Sequence, residues 1–220
     1  MKIESLCRPV ASPGRVDAAP TRRRFALLVG LAAAWLCCGS GFADEPEALP
    51  KAALTAKGFD RALLDPLDGL SLRRYAHIAF ESFAGDEPDM DKVLARYGVA
   101  RAQFDHANAV FIERMRADKS YVLADVYGAY FIETAGGKYA ALAADVARSV
   151  IDGAPLREPA PMKWDQYLEL MRFYASNAPN AKGTSRAAYD EILKPKGLTF
   201  VDYLILGAWF GRRMRLGGTP

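Results

Sequence analysis

Cysteine, histidine and long apolar runs are scarce in this chain, and each shortage removes a class of function. All three cysteines, Cys7, Cys37 and Cys38, lie before residue 44. The chain beyond them therefore has no disulfide framework, no thiolate nucleophile and no cysteine zinc site. The only histidines are His77 and His106. Neither has a histidine or cysteine one helical turn away, so no metal motif forms, and both are read as solvated residues on helix surfaces. No apolar run reaches the ~20 residues that a comfortable membrane span needs. A glycine-rich phosphate loop and a nucleophile elbow are both missing. So is sustained period-two alternation, the mark of a half-buried strand.

Net charge is also lacking once its location is considered. The formal +3 comes from 29 basic and 26 acidic residues. Residues 1–43 hold six of the basic and two of the acidic ones, which leaves 23 and 24 for the remainder. A body this close to neutral carries no electrostatic footprint for nucleic acid.

What the first 43 residues do contain is an address. Thr21-Arg22-Arg23-Arg24-Phe25 leads into the apolar run Ala26–Leu36, and Gly41-Phe42-Ala43 offers small residues where a signal peptidase reads. This looks like a bacterial twin-arginine export signal with Arg22-Arg23 as the pair, and it predicts a periplasmic protein cut before Asp44. General secretion, an uncleaved anchor and a lipoprotein modified at Cys37 or Cys38 are the alternatives. Residues 44–69 read as a flexible start to the mature chain.

From residue 70 onward the spacing is helical. Leu72, Tyr75, Ala76, Ala79, Phe80 and Phe83 form one stripe with Ser71 as its cap. A short helix ends at Gly98, whose freedom to adopt the left-handed conformation closes it. A long helix follows over about 101–117, then two more over 120–134 and 138–151. Pro155, Pro159 and Pro161 make 153–162 a linker. Beyond it the pattern recurs with a helix from Trp164, another capped by Ser185, a turn at Gly197, and a very apolar last helix opened by Thr199 and Asp202 as a capping box. The expected fold is all-α, with one helical module over 70–152 and a second over 163–220.

The recurrence is literal in places. At an offset of 99 residues, Asp91, Leu94, Gly98, Ala109, Phe111, Arg114, Met115 and Arg116 match Asp190, Leu193, Gly197, Ala208, Phe210, Arg213, Met214 and Arg215. Tyr75 matches Tyr167 at an offset of 92, the difference lying in the longer loop 177–184. The two modules are therefore read as tandem pseudo-repeats packed together. Both methionines are expected in the core, and the last helix is expected to lie against its counterpart at 101–117.

Gly98-Val99, Phe104, Asn108, Phe111, Arg114-Met115, Asp118 and Tyr127-Gly128-Ala129-Tyr130-Phe131, with Tyr75-Ala76 upstream, resemble a helical module of uncharacterised bacterial proteins, a domain of unknown function. Tryptophan often stands there in place of Phe104 and Phe111. The resemblance covers 70–134 well and 164–215 in part. It implies an all-helical domain with no assigned activity and gives no catalytic residues to carry over. Gly207 and Gly217 stand where the first copy has Asn108 and Asp118, so any role for those polar groups exists once.

The leading functional expectation is a non-catalytic protein that binds an unknown protein partner or a small apolar ligand, with no cofactor and no metal. Its site is expected where the two long repeat helices meet, lined by Phe111, Trp209 and Phe210 and edged by Arg114 and Arg213. The alternative is a hydrolase-like enzyme using Glu133 or Asp125 in a groove between modules. A third reading is peripheral membrane contact through Gly211-Arg212-Arg213-Met214-Arg215. The acidic stretch Asp86, Glu87, Asp89 and Asp91 lacks the closing glutamate of a calcium loop and is read as polar loop and helix caps.

Overall fold

Helical spacing decides the architecture. The computed structural model describes residues 48–84, 89–178 and 185–218; residues 1–43, where an export signal is expected, Asp86, Glu87 and most of loop 177–184 lie outside them. Among the described residues the fold is all-α, and the only β pairing is an isolated bridge between Leu67 and Leu70. The helices are α1 (Lys51–Thr55), α2 (Leu72–Ala84), α3 (Met90–Tyr97), α4 (Arg101–Ala117), α5 (Val122–Ile132), α6 (Ala140–Ile151), α7 (Trp164–Asn177), α8 (Arg186–Leu193) and α9 (Phe200–Arg215). Short 3-10 turns cover Arg61–Leu64 and Lys194–Lys196.

The helix starts follow from local chemistry. Ser71 Oγ accepts from the Arg74 amide at 3.3 Å, and Ser185 Oγ from the Ala188 amide at 3.4 Å. At α9 the box is reciprocal: Asp202 donates its amide to Thr199 Oγ1 at 3.1 Å, and Thr199 donates its own to Asp202 Oδ2 at 2.9 Å. Each such cap is worth about 1 kcal/mol. The stops depend on glycine. Gly98 closes α3 at φ 60°, ψ 33°, and Gly197 closes the turn after α8 at φ 65°, ψ 31°, a region that side-chain-bearing residues enter at a cost. Behind each, the next amide reaches back to a leucine carbonyl: Val99 to Leu94 at 3.0 Å, Leu198 to Leu193 at 3.4 Å.

Two apolar clusters hold the helices together. The first gathers Tyr75, Ile78, Phe104, Phe111, Leu123, Val126 and Tyr130, among others. The second gathers Tyr167, Leu170, Ile205, Leu206, Trp209 and Phe210. Burying one such side chain contributes roughly 1.5–3 kcal/mol. The second cluster also takes Phe80 from α2, Ile132 from α5, and Ala143 and Val146 from α6. The linker 153–162 therefore marks no break in the core.

This corrects the expected arrangement of α4 and α9. α4 packs on α2, α3 and α5, whereas α9 packs chiefly on α6, with further contact to α5 and α8. The α5–α6 pair stands between them. α5 is apolar around most of its girth and buries Leu123, Val126, Ala129, Tyr130 and Ile132, so it serves both sides. Three further expectations change. Residues 48–69 are not a loose tail: Ala53 is buried, and Phe59, Leu63, Leu64 and Leu67 pack on the first cluster. The linker is pinned as well, with Leu156, Ala160 and Met162 against the second cluster. Met214 is 47% exposed because the last turn of α9 runs past the edge of the core, while Met115 is partly buried.

Candidate functional site

The residues expected to form a groove are placed apart. Phe111 is fully buried in the first cluster, its ring stacked on Tyr75 at 5.1 Å. Trp209 and Phe210 are buried in the second, where Phe210 stacks on Tyr167 at 4.4 Å. The Trp209 indole Nε1 finds no hydrogen-bond acceptor among the described residues. Arg114 lies over Phe111 and donates to the Leu63 and Asp65 carbonyls at 3.1 and 2.7 Å. Arg213 lies over Trp209 and pairs with Glu158 at 2.6 Å. Both arginines thus tie their own helix to a neighbouring segment. The aromatic rings are core, divided between the two clusters.

The polar run at the end of α9 is likewise engaged. Arg212 donates to the Ser149 hydroxyl at 3.0 Å and to the Ser149 carbonyl at 2.7 Å. Arg215 pairs with Asp125 at 2.5 Å. Burial pushes the Asp125 carboxyl up, against the pull of Arg215 and Arg212. Burial also draws the Arg212 guanidinium down. All three arginines that motivated a membrane-surface reading are bonded within the chain. Among the described residues, no helix is long and apolar enough to cross a membrane.

Glu133 does gain the partners that sequence spacing could not supply. It stands just past the end of α5, facing the first turns of α2. Arg73 grips it side-on: Nε donates to Oε2 at 2.9 Å and Nη2 to Oε1 at 2.5 Å. His77 approaches Oε2 with Nε2 at 3.0 Å. Because an ionised carboxylate only accepts, the proton on this imidazole edge belongs to Nε2. Burial alone would raise the Glu133 carboxyl, but bonds from His77 and Arg73 and the Arg73 charge outweigh it and hold it below the ordinary range. His77 is thus half-buried and bonded across helices. His106, by contrast, is exposed and pairs with Asp68 at 2.7 Å.

Beside this cluster lies an open cavity of about 280 Å³. α2 gives it Arg73, the end of α5 gives Glu133, and one face of α6 gives Ala144, Ala147, Arg148, Ile151 and Asp152. The α6 contribution follows from helix geometry, since positions three and four apart share a face. Arg148 is itself held by the buried Asp145, which also faces Arg157 at 3.3 Å. None of the lining side chains carries a hydroxyl or thiol nucleophile. Glu133, with both oxygens engaged and its acidity increased, is a fixed negative charge and a weak base. Among the described residues no group of three or more histidine, aspartate or glutamate side chains is placed to hold a metal ion.

Spacing along the sequence sets Arg73 on one polar line with His77, gives Glu133 no partner and does not single out Arg148. The partners are 60 and 56 residues upstream, on a different helix, and no local pattern encodes that pairing. Comparison with protein-family models, with curated proteins and with solved structures finds no match.

Proposed function

We propose that this is an exported, non-catalytic helical binding protein whose ligand site is the cavity bounded by α2, the end of α5 and α6. The observation that supports this reading is the Arg73–Glu133–His77 cluster. Its charges are oriented by one another before any ligand arrives, which suits recognition. A carboxylate held ionised and doubly bonded is poorly suited to taking up a proton. The test is to incubate the purified protein with small-molecule extract of the periplasm and analyse what it retains. Recovery of a compound in unaltered form, lost with Arg73→Ala, is the expected result. Chemical conversion of the compound that disappears with Glu133→Gln would favour the hydrolase-like alternative.

Two further parts of the reading concern origin and address. The unit α2–α3–α4 and the unit α7–α8–α9 are read as diverged tandem copies. In support, the Tyr75–Phe111 stack in one is matched by the Tyr167–Phe210 stack in the other, and the turns at Gly98 and Gly197 share backbone angles and hydrogen bonds. The address is read as twin-arginine export to the periplasm. Changing Arg22 and Arg23 together to Lys should leave the precursor in the cytoplasm, as fractionation would reveal. Normal yield in the periplasm would overturn that route.

A further inference from the structure

We propose that the tyrosine cluster on α7, α8 and α9 docks a neutral, proline-rich peptide in the polyproline conformation, held through its carbonyl oxygens by the hydroxyls of Tyr174, Tyr189 and Tyr203. The site uses no residue of the α2/α5/α6 cavity and goes beyond the reading above.

Three helices bring the phenols together. Tyr174 stacks on Tyr203 with ring centroids 4.5 Å apart and lies 6.3 Å from Tyr189. Phe200 is buried beside them, stacked on Tyr189 at 4.8 Å and 5.7 Å from Tyr174. The three tyrosines are half-buried rather than enclosed. Other tyrosines spend their hydroxyls inside the fold: Tyr75 donates to Asn108 at 2.7 Å and Tyr97 to Glu81 at 2.8 Å. Among the described residues, nothing bonds the hydroxyls of Tyr174, Tyr189 and Tyr203. At the offsets that align Tyr75 with Tyr167 and Gly98 with Gly197, they fall on Ser82, Met90 and Phe104, so the three phenols belong to the carboxy-terminal half alone.

Chemistry narrows the ligand. Burial, aided by Tyr189 and Tyr203, pushes the Tyr174 phenol up to about 12, and burial raises Tyr203 as well. Both are therefore protonated at neutral pH and serve as donors. A peptide carbonyl is a matching acceptor. The charges that α8 and the start of α9 carry are already engaged: Arg186 with Asp190 at 3.2 Å, Lys194 with Glu191 at 3.1 Å, and Asp202 with Thr199 at 2.8 Å. A charged ligand would lose hydration here without meeting an unengaged opposite charge on those segments.

Conformation narrows it further. A helical peptide keeps its carbonyls for itself, and a docked strand needs a sheet edge, which the described residues lack. A polyproline helix has no internal hydrogen bonds, so its carbonyls are free, and its proline rings pack on aromatic faces. Its three-residue turn rises about 9 Å, comparable with the two centroid steps from Tyr189 through Tyr174 to Tyr203. Because that helix is ordered before it binds, little chain entropy is lost on docking.

The experiment titrates the purified protein, labelled for amide NMR, with N-acetyl-decaproline amide, a neutral glycine–serine peptide of the same length, and cellotetraose. Saturable shifts at Tyr174, Tyr189 and Tyr203 are expected with decaproline, with a Kd of about 1 mM or below. Tyr174→Phe and Tyr203→Phe remove one hydroxyl each. Each should weaken decaproline binding about fivefold, the worth of one hydrogen bond, yet leave thermal unfolding unchanged. Absence of saturable shifts at these tyrosines up to about 10 mM decaproline would overturn the site. Equal binding of the glycine–serine peptide would overturn the polyproline conformation, and saturation by cellotetraose instead of decaproline would overturn the peptide in favour of a glycan. Undiminished decaproline binding in both phenylalanine variants, or lost stability in either, would show that the hydroxyls are not the free donors the proposal needs.

Discussion

The Tyr167 hydroxyl sits where a side chain at Gly207 would begin: a Cβ built there would lie 3.2 Å from it. The hydroxyl of Tyr75, 92 residues earlier, instead donates to Asn108 Oδ1 at 2.7 Å. One tyrosine meets an amide and the other meets bare backbone. Gly207→Ala therefore combines two opposing effects. Alanine is favoured over glycine inside a helix by up to ~1 kcal/mol, but the methyl crowds a tyrosine stacked on Phe210 and flanked by Trp164. Because that ring cannot readily yield, the substitution should be neutral or destabilising. In a Tyr167→Phe background the same change should stabilise by ~0.5–1 kcal/mol. Urea unfolding of the four proteins measures this, and the same sign in both backgrounds would refute the contact.

Asn108→Ala and Tyr75→Phe each remove one partner of a single hydrogen bond, so each should cost about 0.5–1.5 kcal/mol. The double substitution should cost less than the two together, because the bond is lost only once. Full additivity in a double-mutant cycle would mean the two groups act independently.

Glu133→Gln should lower stability at neutral pH by about 1–2 kcal/mol, at the modest end for a charged hydrogen bond because Arg73 is 42% exposed. The pH dependence has a definite sign. The folded carboxyl is held below its ordinary value of 4.5, so its contribution is present above that pH and lost as pH falls through the lowered value. The difference between wild type and Glu133→Gln should therefore shrink in acid. Chemical denaturation at pH 7 and pH 3 would show it, and a difference that grows in acid would contradict the assignment.

Alkali acts in the opposite direction. Burial, with a smaller effect from Tyr203, pushes the Tyr167 phenol up to about 12, and burial aided by Tyr189 and Tyr203 does the same for Tyr174. A folded value above the unfolded 10.0 means stability is full below pH 10 and falls as pH rises toward about 12. Phenolate absorbance should lag the ordinary tyrosine curve until unfolding begins. Tyr167→Phe should make the alkaline loss shallower.

The end of α9 offers a contrast between neighbours. Ser149 is fully buried, and Arg212 donates to both its hydroxyl and its carbonyl. Arg212→Ala strands those acceptors and should cost about 1–3 kcal/mol. Met214→Ala, two residues on and 47% exposed, should stay within ~0.5 kcal/mol. Thermal unfolding compares them, and equal losses would mean the last turn is held by packing rather than by the arginine.

The same contrast shows what the sequence could disclose. Gly98 and Gly197 announce their turns because a left-handed residue needs glycine, and Thr199 with Asp202 announces its helix because the capping bonds are three residues apart. Apolar periodicity marks Phe111, Trp209 and Phe210 as buried. It does not say against what, and two clusters claim them instead of one groove. Met214 is exposed for a related reason: the periodicity of α9 continues for a turn after the core has ended. The Glu133 site was hidden more deeply. Its charges come from α2, α5 and α6, and only the folded packing of those helices brings them to one cavity.

The placement of α5 and α6 also permits an order of assembly. Every residue of the first apolar cluster lies between Ala52 and Ile151. A nascent chain that has emerged through Ile151 already holds all the parts of that cluster. The second cluster cannot close by itself, since it needs Phe80, Ile132, Ala143 and Val146 from the earlier half. During synthesis the first half can therefore condense while α7–α9 are still being made, leaving those side chains, with Ala135, as a waiting apolar surface. The later helices then fold onto a template, and the carboxy-terminal half released alone from residue 163 would have nothing to fold against.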